Sequence, residues 1–92
     1  MKYEIVPSNQ FKKDLKLAQR RGYDLTKIKK VITLLANGEP LEEKYRDHFL
    51  VGDYGGYREC HIQPDWLLIW EQRDTELILI LTDTGTHSDL FG

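Results

Sequence analysis

The stretch Gly56-Tyr57-Arg58-Glu59-Cys60-His61-Ile62-Gln63-Pro64-Asp65-Trp66 reads as a strand that runs into a tight turn. If Tyr57 to Ile62 is extended, its side chains alternate between two faces, with Tyr57, Glu59 and His61 on one and Arg58, Cys60 and Ile62 on the other. Pro64 lacks a backbone donor and fixes its own φ, so Gln63-Pro64-Asp65 predicts a turn. A histidine near the end of a strand and an aspartate four residues on, across the turn, can then face one cleft. Trp66-Leu67-Leu68-Ile69-Trp70-Glu71 follows at once, and its nearly unbroken hydrophobicity predicts a central strand buried on both faces.

Working outward, Gln72-Arg73-Asp74-Thr75 has the length of a hairpin turn, and Glu76 to Thr82 predicts a last strand. The tail from Asp83 to Gly92 is polar apart from Leu90 and Phe91. Upstream, His48-Phe49-Leu50-Val51 predicts a short strand stopped by the glycine-rich Gly52-Asp53-Tyr54-Gly55-Gly56, and Leu41 to Asp47 shows no clear period. The first half is helical. Tyr3-Glu4-Ile5-Val6 predicts an opening strand closed by Pro7, and Ser8 or Asn9 then caps a helix reaching about Arg21. Phe11, Leu15 and Ala18 give that helix one apolar side, and Gly22 suits its C-cap. Asp24 starts a second helix whose Leu25, Ile28, Val31, Ile32 and Leu35 recur at helical spacing, up to the break at Asn37-Gly38. The order β-α-α-β-β-β predicts one α+β domain over residues 1–92, a helical hairpin packed on a mostly antiparallel sheet with a short C-terminal tail or helix.

Composition narrows the class. At 92 residues the chain has room for one modest core, and its longest apolar run, Leu77 to Leu81, is far too short to span a bilayer. Cys60 is the only cysteine, which excludes an intrachain disulfide, and the start of the chain lacks a signal-peptide pattern, so a cytoplasmic protein is expected. The net charge of −2 conceals a split: residues 1–46 hold eleven Lys/Arg against six Asp/Glu, and residues 47–92 hold two against nine. A face of the first half could therefore meet a polyanion, with Lys12, Lys13 and Lys16 of the first helix as candidates.

The chemistry-bearing residues cluster in the second half. Histidine both gives and takes a proton near neutrality, so His48, His61 and His87, with the carboxylates Asp65 and Glu59, are a basis for general acid–base catalysis. A zinc set from His48, His61, His87 and Asp65 is the alternative, but no pair has the short spacing that usually seeds one. Ser88 beside His87 and Asp89 cannot form a triad from neighbouring positions, and alternation turns Cys60 away from His61. Gly52, Gly55 and Gly56 are not a phosphate-binding fingerprint, because no helix is expected after them. Trp66 and Phe91 are candidates for stacking on nucleobases.

Three segments together resemble the YafQ branch of the RelE/ParE toxin superfamily: Tyr45-Arg46-Asp47-His48, the stretch from Gly56 to Ile69, and Thr84-Gly85-Thr86-His87-Ser88-Asp89-Leu90-Phe91. The first helix, with Asp14-Leu15-Lys16-Leu17-Ala18-Gln19, is similar too. The resemblance implies a RelE-like fold and the toxin of a type II toxin–antitoxin pair, a metal-independent, cofactor-free endoribonuclease that cleaves mRNA on the ribosome. By the same resemblance His48, His61, Asp65 and His87 occupy catalytic positions, Glu59 a position usually acidic, and Phe91 that of an aromatic near the substrate; Arg58 is a further cation for the phosphate. It also implies a DinJ/RelB-like antitoxin as partner in a hetero-oligomer, which meets operator DNA through the antitoxin, and no membrane. Two features depart from the branch: Asp83 stands where an arginine is common, and the net charge is negative. The alternative is a member that acts by binding, either as an antitoxin-dependent repressor or as a ParE-like gyrase inhibitor, although ParE-like members lack the histidine set.

Overall fold

Each helix begins at the residue that the sequence marks for it. In the computed structural model, which describes all of residues 1–92, Ser8 caps α1 (Asn9–Arg20): its Oγ accepts from the Phe11 N–H and donates to the Thr82 carbonyl at 2.8 Å. Asp24 caps α2 (Leu25–Ala36) by accepting from the backbone N–H and hydroxyl of Thr26. Such caps contribute about 0.5–2 kcal/mol each, satisfying donors that a helix start leaves free. Between the helices Gly22 takes φ +81°, a left-handed conformation that lets the chain reverse within a few residues.

The strands are β1 (Glu4–Pro7), β2 (His48–Phe49), β3 (Arg58–Gln63), β4 (Trp66–Arg73) and β5 (Ile78–Gly85), and a short helix α3 (His87–Phe91) closes the chain. They form one sheet in the order β1-β5-β4-β3-β2. Only β1 runs parallel to its neighbour, so the sheet is mixed but mostly antiparallel. As the apolar run implies, β4 is central, and Trp66 through Trp70 are buried without interruption. Packing of α1 on β5 and of α2 on β3 closes the core, in which Phe11, Ala18, Ile28 and Val31 join Trp66, Leu68 and Trp70.

Several boundaries differ from expectation: β2 stops at Phe49 and does not reach Val51, β3 takes in Gln63 so that the turn is Pro64-Asp65 alone, and both ends of β5 move. The β4–β5 turn is at residues 74–77, two positions later than read, and Leu77 lies in it at φ +56° rather than starting a strand. Leu77 continues the apolar run to Leu81, and hydrophobicity alone does not separate an exposed turn leucine from a strand. The last strand also continues to Gly85, since Leu67 and Leu68 pair with Gly85 and Thr84. The connection before β2 contains a single 3-10 turn at Glu43–Tyr45, and a second one, Gly52–Tyr54, follows β2.

Candidate active site

The β3–β4 hairpin sets the site. Pro64 and Asp65 form its two-residue turn, with Gln63 and Trp66 paired on either side. Cross-strand register puts Glu59 opposite Ile69 and His61 opposite Leu67, on the face turned away from Cys60 and Leu68. On the other side of β3, His48 of β2 lies opposite Glu59. At the end of β5, α3 begins at His87, whose backbone N–H and Nδ1 both reach Asp65 Oδ1 at 3.1 Å. Three histidines from three elements thus form a row. The His48–His61 ring centroids are 6.5 Å apart, His61–His87 5.9 Å and His87–Phe91 6.3 Å.

Hydrogen bonding fixes the tautomers. The carbonyl of Pro64 can only accept, so the 3.2 Å contact assigns the proton of His61 to Nδ1. Asp65 accepts two bonds from His87, which hold its carboxyl below the usual range; as a carboxylate it leaves the His87 proton on Nδ1 as well. Nε2 of both rings makes no hydrogen bond and is free for chemistry. His48 differs. Its Nδ1 donates to the Arg46 carbonyl at 2.6 Å, and its Nε2 lies 3.3 Å from Glu59 Oε1, so both of its nitrogens are engaged. Glu59 is 4% exposed and its Oε2 has no partner in the protein, an uncommon arrangement for a structural acid.

The end of the row is held from a distance. Asp89 completes a capping box with Thr86 at the start of α3 and takes a two-pronged pair from Arg21, at 2.6 and 3.1 Å. That guanidinium pushes the Asp89 carboxyl well below its ordinary value. On the far side of α3, the ring of Tyr54 packs edge-on against Phe91 at 5.4 Å. Thr86-His87-Ser88-Asp89 carries the helix-start pattern in the sequence, whereas nothing local announces Arg21 or Tyr54.

Several candidate residues lie elsewhere. Trp66 is 1% exposed and donates its indole N–H to Thr84 Oγ1 at 2.9 Å, so it is a core residue and no stacking platform. Arg58 is turned to the opposite face, where it pairs with Asp47 and Gln72 and stacks between Phe49 and Trp70. A guanidinium so occupied is not available to a phosphate beside His61. Lys12, Lys13 and Lys16 lie exposed on α1 and form no ion pair. Cys60 is fully buried, and desolvation of the thiolate pushes its thiol well above the ordinary range, which removes it from nucleophilic chemistry. Asp83 is half-buried beside Asp14, and burial, ahead of that neighbour, raises its carboxyl to about 6.

As they stand, the side chains form no group of three or more His, Cys, Asp or Glu arranged to hold a metal ion. What they offer is proton transfer by two free imidazole nitrogens beside an aromatic surface. Known proteins share this architecture. The mRNA interferase toxin YafQ of Escherichia coli K12 is 47% identical over 90 residues, covering 97% of this chain and 96% of that protein. The toxin in the crystal structure of the E. coli DinJ–YafQ complex superposes with a TM-score of 0.90 at 46% identity, covering 98% of this chain and 99% of that one. A metal-bound toxin from Helicobacter pylori superposes at 0.91 with 43% identity, over 97% and 99% of the two chains. Residues 3–92 match the family described as the bacterial toxin of type II toxin–antitoxin system, YafQ. Histidine row, fold and sequence all lead to one conclusion: the chain belongs to the YafQ family of bacterial toxins of type II toxin–antitoxin systems.

Proposed function

We propose that this toxin is an mRNA interferase, an endoribonuclease that cuts mRNA on the ribosome by acid–base catalysis. The observation that carries the reading is the pair of free Nε2 atoms on His61 and His87, in rings 5.9 Å apart and each held by its Nδ1. RNA supplies its own nucleophile. As base, His61 takes the proton of the 2′-OH, whose oxygen attacks the adjacent phosphorus. As acid, His87 Nε2 protonates the departing 5′-oxygen, so the P–O5′ bond breaks and a 2′,3′-cyclic phosphate and a 5′-hydroxyl remain. Asp65 keeps the His87 ring in place and stabilises its cationic form, the role an aspartate serves behind a catalytic histidine. The protonated His48 ring, anchored by Glu59, is the cation for the phosphorane, the work that Arg58 is too occupied to do. Phe91 offers a 45% exposed ring at the end of the row for a nucleobase.

The partner is an antitoxin like the DinJ of the E. coli complex, and the site of action is the cytoplasm, where ribosomes translate. No helix is long and apolar enough to cross a membrane. The nuclease reading is favoured over a binding-only one because a repressor or gyrase inhibitor has no use for two imidazoles with matched free nitrogens. Mapping the ends of fragments from a translation extract tests it. The expected fragments carry 5′-hydroxyl and cyclic or 3′-phosphate ends, and His61→Gln lowers their rate of formation about 10²–10⁴-fold. Fragments with 5′-phosphate ends would refute the 2′-OH mechanism.

A further inference from the structure

β2 pairs only with Arg58 and Glu59, so from Cys60 onward the outer edge of β3 has no strand beside it. The space left there is a cleft of about 590 Å³, between α2, the 43–46 turn and the end of β3. His61 forms part of its wall, so the cleft opens directly from the histidine row. Four cations line it: Lys27 and Lys30 from α2, one helical turn apart, and Lys44 and Arg46 from the turn. None of the four takes part in an ion pair, although the chain as a whole is acidic. Of the arginines outside the cleft, Arg21, Arg58 and Arg73 are each paired with a carboxylate, and Arg20 at the end of α1 is not. Uncompensated like charges repel one another and destabilise the fold, so an external anion is the natural counterpart of such a group.

We propose that this cleft holds the backbone phosphates of the single-stranded mRNA on one side of the scissile bond, while Phe91 and Tyr54 receive a base on the other. The inference rests on the ribonuclease reading and extends it from the reacting groups to the path of the strand. The row of rings from Phe91 through His87 to His61 leads into the cleft, so one strand can cross both. Lysine and arginine at this spacing contact phosphates without reading bases, so the cleft contributes affinity and register and leaves sequence choice to the other end. The 5.2 Å approach of the Lys44 ammonium to the Tyr45 ring holds that lysine at the rim.

The test is single-turnover cleavage on programmed ribosomes, using mRNAs in which one phosphate at a time near the cut is replaced by a neutral methylphosphonate. Lys30→Gln/Lys44→Gln is compared with wild type and with Lys2→Gln/Arg73→Gln, which loses the same charge outside the cleft. The cleft variant is expected to cleave about tenfold more slowly at subsaturating toxin, as for the loss of one charge-assisted phosphate contact. At one backbone position, methylphosphonate should slow wild type by a similar factor and the cleft variant no further. The Lys2/Arg73 variant should behave as wild type. Additive losses at every position, equal losses in both variants, or wild-type cleavage accompanied by weakened antitoxin binding would each overturn the proposal. If folded wild type does not cleave at all, the ribonuclease reading itself fails. The cleft is then decided by anisotropy of labelled single-stranded RNA at low salt, where equal binding by wild type and cleft variant refutes it.

Discussion

Asp83 shows how one residue can act against the fold that holds it. Burial and the nearby Asp14 raise its carboxyl to about 6, against about 3.9 in an unfolded chain. Between those values the folded state binds the extra proton, so this residue makes stability fall as pH rises from about 4 through 6. Asp24, Asp65, Asp74 and Asp89 have the opposite sign: their lowered values stabilise the fold above about pH 4, and that stabilisation is lost as pH falls further. Asp83→Asn should therefore be more stable than wild type at pH 7.5, by about 1 kcal/mol once partial exposure is discounted. For a domain of this size that raises Tm by about 4–8 °C. The gap should close near pH 4 in thermal melts, and a gap unchanged with pH would contradict the account. In the sequence Asp83 is legible only as a missing cation. Its raised carboxyl depends on burial and then on Asp14, almost seventy positions away, and no local pattern announces either.

Among the elements, α3 depends most on its neighbours. Five residues are too few for a helix to persist alone, since nucleation costs more than so short a helix returns. It is held by its own capping box and by Arg21 at the end of α1. Gly85 makes room: a Cβ there would come within 3.0 Å of the Asp89 side chain. Loosening this clamp shifts His87 and Phe91 together. Arg21→Gln should lower kcat about 10- to 100-fold, the usual result of misplacing a catalytic group by an ångström. Its Tm should change little, because an exposed ion pair contributes at most about 1 kcal/mol. Partial recovery in Arg21→Lys, which keeps charge but loses the fork, would mark a positioning role; a large Tm loss with kcat unchanged would refute it. Elements were legible where polar punctuation is strong, as at Ser8, Asp24 and Pro64. They were misread at Leu77, where the apolar run extends past the strand into the turn.

At the scale of the molecule, the architecture separates two jobs that the sequence interleaves. Along β3, one set of alternate residues builds the core and the other builds the site, so Cys60 and Ile62 are buried while His61 joins the row. The alternation of Tyr57 to Ile62 made that division readable from the chain, together with the company of His61 and Asp65 around one turn. The pairing of Asp65 with His87, the contact of His48 with Glu59, and the burial of Trp66 depend on sheet order and register, which only the folded chain supplies. The separation also means that the site can be emptied of its chemistry without disturbing the fold, because the His87 side chain is exposed and contributes no core contact. The most direct test compares cleavage of mRNA on translating ribosomes by wild type and His87→Gln, with the protein stripped of metal by chelator beforehand. The account predicts full cleavage by stripped wild type and a loss of about 10²–10⁴-fold in a His87→Gln protein that melts as wild type does. Undiminished cleavage by folded His87→Gln, or cleavage that returns to stripped wild type only when metal is restored, would contradict it.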